Sequence, residues 1–475
     1  MSTQPAPPQL DPHAPRFRVR PPANWINDPN GPFRWRGRYH LFYQHNPDAP
    51  VHTNMHWGHV SSADLVRWEH HPLALTPTPG GPDEGGCWSG CVVDDAGVPT
   101  AVYTGVDHAH TGLGTICLAH ASADSPELTT WRTLPEPVVS GPPPGLDVTM
   151  FRDPFVFRHG GRRWALVGAG HADGTPTVLL YACDDLTSWR FAGVLADGHD
   201  PVAQKAFGDG AVGWECPQLF EGEGGDWTLA MSLWDGSPLS TAYLTGRLLM
   251  SGQGDLIGFA PRVGGPLDLG RDCYAPAVLH DSEAGRNLLW GWSWEARGQR
   301  EVDHAGWSGV LTAPRVVGTH PDGTVRVSPA PELQLLRAQH PFVTEPEGRT
   351  PLPLAYDIEV TAVTSTTLTL LRAASGAELT LTLDPAAGTA TLDRTSWPRE
   401  RPGGSAPITL TSTPAPPAGL EVRILVDGSL LELFVADRAV ATERIYRRPD
   451  DVAELTVAGE GARVTGWEVV PPGHE

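Results

Sequence analysis

The sequence predicts an all-β protein of two domains, the first built from blade-like antiparallel sheets set around an axis and the second a β-sandwich. Three observations carry this. Helical periodicity is almost absent, whereas short β-type runs at 39–43, 101–104, 164–168, 178–181, 227–232 and 288–293 recur between Gly, Pro and Asp turns. Pairs of runs are followed by an Asp-Leu turn and a tryptophan, at 63–68 and again at 185–189, as in a repeated sheet unit. The chain of 475 residues also exceeds what one hydrophobic core usually organises. Periodicity alone would suit a sandwich or jelly roll in the first domain equally well.

Taken in order, residues 1–20 form a proline-rich N-terminal tail without the basic start and apolar run of a secretory signal. Residues 21–328 hold the repeated runs and form the first domain. A linker follows at 329–347, where a proline-rich stretch ends the tryptophan-rich region. From 348 to 475 the runs at 368–371, 379–383, 422–426 and 430–435 alternate between apolar and polar positions, as sandwich strands do. Asp427-Gly428 between two of them signals a hairpin. Residues 398–417 read as a loop.

Asp and Glu outnumber Lys and Arg by 55 to 34, and a formal charge of −21 without a basic patch argues against nucleic-acid or anionic-membrane partners. Lys205 is the only lysine, so an anionic ligand would be met by arginine, histidine or backbone N–H groups. No stretch approaches the roughly 18 apolar residues of a membrane span. Six scattered cysteines read as buried free thiols, which with the missing signal implies a cytoplasmic protein. Cys87 and Cys91 are spaced like half a metal site, but no second pair supports one, so neither metal nor cofactor is expected.

Three acids stand out. Asp28 lies in Asn24-Trp25-Ile26-Asn27-Asp28-Pro29-Asn30-Gly31, which by itself is a good turn sequence. Asp153 lies in Phe151-Arg152-Asp153-Pro154-Phe155, where the adjacent arginine suggests an ion pair. Glu215 lies in Gly213-Trp214-Glu215-Cys216-Pro217, an apolar setting that disfavours the charged form. Singly, each reads as structural. As a set in a tryptophan-rich all-β chain they fit sugar chemistry, which needs one carboxylate at an oxocarbenium-like carbon and a protonated carboxyl for the leaving oxygen. Aromatic faces would stack on the sugar and charged planar groups would fix its hydroxyls.

The motifs Trp25-Ile26-Asn27-Asp28-Pro29-Asn30-Gly31, Phe151-Arg152-Asp153-Pro154 and Trp214-Glu215-Cys216-Pro217 resemble, in order, the three signatures of glycoside hydrolase family 32, the invertases and fructan hydrolases. Segments 39–47, 56–72, 88–93, 272–276, 290–292, 306–315 and 426–446 are also similar to the family, so the likeness covers about residues 18 to 470. It implies a five-bladed β-propeller followed by a β-sandwich, with the site in the propeller's axial funnel. By resemblance Asp28 is the nucleophile, Glu215 the general acid and base, and Asp153 a transition-state stabiliser. Arg152 would position hydroxyls and the neighbouring acid. Asn27, Gln44, Trp57, Trp88, Ser89 and Tyr274 match positions that line the fructose pocket or its rim, and Trp57 and Tyr274 would equally serve as packing residues. Trp292 and Trp294 are similar to rim tryptophans, with a core role as the alternative.

Two departures bear on the pocket. His52-Thr53 stands where many members carry Trp-Gly, which makes one aromatic wall smaller and puts a histidine where an anionic group could be met. Trp88 and Cys91 replace residues of a Phe-Ser-Gly-Ser segment while Ser89 is kept. The implied reaction retains configuration, with Asp28 and Glu215 carboxyls about 5–5.5 Å apart. The expected partner is a small sugar, sucrose or a fructo-oligosaccharide, and the sequence leaves open a homodimer. Rival readings are an exo-acting inulinase or levanase, a fructosyltransferase, a five-bladed arabinose or xylose glycosidase, and a non-catalytic carbohydrate-binding protein.

Overall fold

The computed structural model describes residues 11–471 apart from 110, 123–124, 209, 344–347, 398–403 and 413–417. Parts of the expected tail, linker and 398–417 loop therefore lie outside the described residues. Every run named above falls within a strand. The first five sheets are consecutive antiparallel blades whose inner strands are Asn24–Trp35, Gly86–Asp95, Val148–His159, Gly213–Glu221 and Tyr274–Asp281. The fold is a five-bladed propeller followed by a sandwich of two six-stranded sheets.

Local chemistry explains the blades. In blades 1 to 3 the outer turn repeats one device: the indole N–H of Trp68, Trp131 and Trp189 donates to the carbonyl of Leu65, Leu128 and Leu186, three residues earlier, at 3.0, 2.8 and 2.8 Å. The Leu is buried in each case and plugs the blade end. The ring is closed by a short strand, Trp307–Ser308, that leaves blade 5 and pairs in parallel with Asn24 and Trp25 of blade 1. Gly309 follows at φ +83°, where a Cβ would lie 2.2 Å from the Ile26 carbonyl oxygen, so only glycine permits this closure.

The sandwich has its own apolar core, formed by residues such as Ile358, Leu381, Ile424 and Leu433. The Asp427-Gly428 hairpin is present, with Gly428 at φ +58°. Its Asp427 carboxylate accepts the backbone N–H groups of Arg16 and Phe17 at 2.8 and 2.7 Å, so the segment ahead of blade 1 is strapped to the second domain. The domains meet through buried polar contacts: Arg315 of blade 5 donates to Asp268 at 2.7 Å and to sandwich residue Glu432 at 3.0 Å. Each of these buried charges would be costly without its partner, so separating the domains here would be penalised.

Candidate active site

All five inner strands carry the same irregularity at the same depth. Opposite three residues of the neighbouring strand, each inner strand has four: Ile26 to Pro29, Cys87 to Gly90, Arg152 to Phe155, Glu215 to Gln218 and Tyr274 to Ala277. These are β-bulges, which break the ladder and re-aim side chains. Four contain a proline, Pro29, Pro154, Pro217 and Pro276, whose missing N–H costs nothing where the ladder is already open. Asp153, Cys216 and Ala275 take up the distortion with φ of +64°, +48° and +49°. The turn expected at Asp-Pro-Asn-Gly is thus corrected: residues 24–35 are one strand, and its Pro and Gly serve bulges.

The bulges bring together Asp28 and Asn27 from blade 1, Trp88 and Ser89 from blade 2, Arg152 and Asp153 from blade 3, Glu215 and Cys216 from blade 4, and Tyr274 from blade 5. Asp28 keeps partial solvent access. Its Oδ2 accepts the Ser89 hydroxyl at 2.6 Å and Gln44 Nε2 at 3.2 Å, and its Oδ1 accepts Asn27 Nδ2 at 3.2 Å. Asn27 is itself oriented by the Trp25 indole N–H, which donates to its Oδ1 at 2.8 Å. The Cys216 thiol lies 3.5 Å from both Asp28 Oδ2 and Asp153 Oδ2, so the two carboxylates face each other across one sulfur. Asp153 Oδ2 also accepts the Cys216 backbone N–H at 2.9 Å.

Arg152 pairs with Glu215, Nε to Oε1 at 2.8 Å, and not with its sequence neighbour Asp153 as expected. The bulge turns the two neighbours to different partners. The guanidinium is nearly buried between Trp234 and Trp88, 5.0 and 5.8 Å from their ring centroids, which fixes its plane. The other Glu215 oxygen meets the Tyr274 hydroxyl at 2.5 Å, and that hydroxyl also lies 3.0 Å from the Leu233 carbonyl.

Two of these carboxyls, Asp153 and Asp28, hold their protons more tightly than usual. Burial, and then the Glu215 charge, push the Asp153 carboxyl up to about 7 against the pull of Arg152. Burial likewise raises Asp28, opposed first by the Ser89 hydrogen bond. The Cys216 thiol and Tyr274 phenol are held well above their ordinary ranges by burial and by the nearby carboxylates, so both remain proton donors. His52 lies at the edge of the site, its ring 5.8 Å from Trp25 and 5.7 Å from Trp88. The residue as a whole is exposed, and the protein packed around its ring lowers the imidazole below its ordinary value, which leaves it neutral at pH 7.

Two expected wall residues sit behind the site. Trp57 is fully buried, its indole N–H holding the Trp88 carbonyl at 3.0 Å, so it positions the Trp88-Ser89 bulge from below. Trp292 is 5% exposed and packs against Trp25 at 5.8 Å. Cys87 and Cys91 go to different partners, Asp83 and the Val156 N–H, and among the described residues no three His, Cys, Asp or Glu side chains gather as metal ligands.

Sequence reasoning missed the residues that hold the bulges from neighbouring blades. Thr104 Oγ1 accepts the Asp153 N–H at 2.8 Å and donates to the Ser89 carbonyl at 3.0 Å, and Ser232 Oγ accepts the Ala275 N–H at 2.9 Å. Gly168 takes the corresponding place in blade 3, where a Cβ would come 2.4 Å from the Trp214 carbonyl oxygen. A small residue at the inner end of each of these second strands was the available signal. Trp234, missed as well, gave none beyond its residue type.

Comparison with known proteins places this arrangement in context. The chain is 32% identical to a sucrose-6-phosphate hydrolase of Zymomonas mobilis over 95% of this chain and 90% of that one. It is 31% identical to a raffinose invertase of Escherichia coli, covering 92% and 90%. A solved family 32 β-fructofuranosidase of Bombyx mori superposes with a TM-score of 0.78 at 27% identity, covering 97% and 95%. A sucrose-6-phosphate hydrolase of Lactobacillus gasseri, 23% identical and covering 96% and 93%, shares the fold with a TM-score of 0.82. Residues 18–329 match the description "Glycosyl hydrolases family 32 N-terminal domain" and residues 337–470 match "Glycosyl hydrolases family 32 C terminal". With five blades, a sandwich and both family domains in sequence, the chain belongs to glycoside hydrolase family 32.

Proposed function

We propose that this glycoside hydrolase is a retaining β-fructofuranosidase that releases terminal β-D-fructofuranosyl residues from sucrose, sucrose 6-phosphate or a related small fructoside. The observation that carries the reading is the convergence of Asp28, Asp153 and Glu215 from three blades, with different partners on each acid. The relatives' names support the substrate class, and a variant of the Bombyx mori enzyme was solved with sucrose.

In the first step Asp28 attacks C2 of the fructosyl unit, the C2–O glycosidic bond breaks, and Glu215 gives its proton to the departing oxygen. In the second, water attacks C2, Glu215 takes its proton, and the bond to Asp28 breaks, restoring the original configuration. Ser89, Gln44 and Asn27 aim the nucleophile. Asp153 faces the same carbon from the third blade and stabilises positive charge as it develops there.

Tyr274 lets Glu215 cycle without heavy-atom movement. Its hydroxyl has one proton and two neighbours, Glu215 Oε2 and the Leu233 carbonyl. With Glu215 protonated, its proton faces the departing oxygen and the phenol donates to the Leu233 carbonyl. With Glu215 ionised, the phenol turns its proton to the carboxylate. Trp25, Trp88 and Trp234, each partly exposed, offer faces to the sugar, and the neutral His52 meets the leaving group at the rim.

All site residues come from one chain, so a homodimer is not required for the chemistry. Six buried, unpaired thiols fit a reducing, cytoplasmic setting. The test is fructose release by purified protein from sucrose, sucrose 6-phosphate, inulin and levan, beside Asp28→Asn. Turnover of sucrose or its 6-phosphate above that of the polymers, abolished in the variant, is expected. No fructose from any of the four, or an active Asp28→Asn protein, would overturn the reading.

A further inference from the structure

The segment leading into blade 5 is bonded to the sandwich just before it delivers Tyr274. Leu269 N–H donates to the Val440 carbonyl at 2.8 Å and Asp272 N–H to the Thr442 carbonyl at 3.2 Å. Gly270 permits the contact, since a Cβ there would lie 2.0 Å from the Thr442 carbonyl oxygen. Asp272 is fully buried and divides its carboxylate between the domains. One oxygen accepts the backbone N–H of Arg444 from the sandwich at 2.8 Å, and the other accepts the Trp294 indole N–H from blade 5 at 2.8 Å. The Trp294 ring lies against Tyr274, with centroids 5.6 Å apart and planes at 35°, while Trp292 meets Trp294 edge-on at 5.9 Å. Tyr274 then bonds Glu215.

We propose that Asp272 is a positioning residue through which the sandwich domain fixes Trp294 and Tyr274, and thereby the Glu215 carboxyl. Both of its oxygens receive N–H donors, one from each domain, so only a carboxylate satisfies the pair. An asparagine of the same shape must face one of those N–H groups with its own NH₂, and either the domain contact or the Trp294 anchor is lost. The sandwich thus acts on the proton-transfer step without touching substrate. The inference rests on Glu215 being the acid and base.

The experiment uses the full chain with Asp272→Asn, Trp294→Phe and Tyr274→Phe, alone and combined, and reads kcat and KM for the best fructoside together with melting temperature. Asp272→Asn and Trp294→Phe each lower kcat on the order of tenfold to a hundredfold with KM nearly unchanged, as a misplaced proton donor does. In the Tyr274→Phe background neither lowers kcat further, because the route is already cut. Wild-type kcat in folded Asp272→Asn, or losses that multiply with that of Tyr274→Phe, would overturn the proposal. Should Asp272→Asn fail to fold, Trp294→Phe leaves the domain junction intact and carries the same two outcomes. Glu215→Gln runs alongside: an inactive Glu215→Gln with a fully active Asp272→Asn sinks this inference alone, whereas an active Glu215→Gln sinks the reading beneath it.

Discussion

Asp153→Asn isolates the cost of keeping three acids in one buried cluster. The wild-type carboxyl titrates at about 7 in the folded protein, against 3.8 as its ordinary value, chiefly through burial and the Glu215 charge. Its proton is therefore held more tightly in the folded state. Below pH 3.8 both states are protonated and the site costs nothing. Between 3.8 and 7 the unfolded chain ionises first, and stability falls as pH rises. Above 7 the penalty reaches a plateau of about 4 kcal/mol, as a ceiling, because part of it is repulsion shared with Glu215 and Asp28. The amide keeps the shape and can accept the Cys216 N–H that Asp153 now accepts at 2.9 Å, but it cannot ionise. The variant should melt above wild type at pH 8, with the gap closing by pH 4, while kcat for the best fructoside falls on the order of a hundredfold to a thousandfold. Thermal melts across pH read the first effect and steady-state kinetics the second. A variant that melts below wild type at pH 8, or a gap that does not change with pH, would refute the reasoning.

Two other perturbations test separate parts of the account. Cys216→Ala removes a thiol that stands 3.5 Å from two carboxylates and favours their charged forms, so Asp28 should hold its proton more tightly. The acid limb of kcat/KM then moves to higher pH, by roughly a unit or less, and an unmoved limb would assign the sulfur a packing role only. Far from the site, His40 is buried against His59 at 3.1 Å, and burial, with His71 and Arg38 nearby, lowers it to about 4. A depressed histidine contributes stability above pH 6.5 that is lost as pH falls toward 4, about 3 kcal/mol in total. His40→Leu should lose less stability than wild type across that window in denaturant titrations, and equal losses would contradict the assignment.

The three acids and their order were legible because each sits in a short motif with an unusual combination of acid, proline and aromatic. Strands were legible too, since their runs are apolar and punctuated. What the sequence concealed is how proline was used. Asp-Pro and Pro-Asn-Gly signal a turn and a bulge alike, since both need a missing donor or a positive φ, and only the partner strand tells them apart. The Arg152–Asp153 pairing failed for a related reason: adjacency in a regular strand says little about which partner a side chain reaches once a bulge turns one of the two. Thr104 and Ser232 escaped notice because their only mark, a small residue at the inner end of a second strand, is shared by many threonines and serines in strands. Trp57 and Trp292 had the right motif positions but lie one layer behind the surface they were expected to form.

The central claim is that Asp28 forms the bond to fructose, and trapping that bond tests it most directly. In Glu215→Gln the second step lacks its base, so brief exposure to a fructosyl donor with a good leaving group, followed by acid quench and peptide mass spectrometry, should find one anhydrofructose unit on the peptide carrying Asp28. Adding azide, which needs no base, should discharge that adduct as fructosyl azide with retained configuration. An adduct on the Asp153 peptide, or a first product of inverted configuration, would contradict the account.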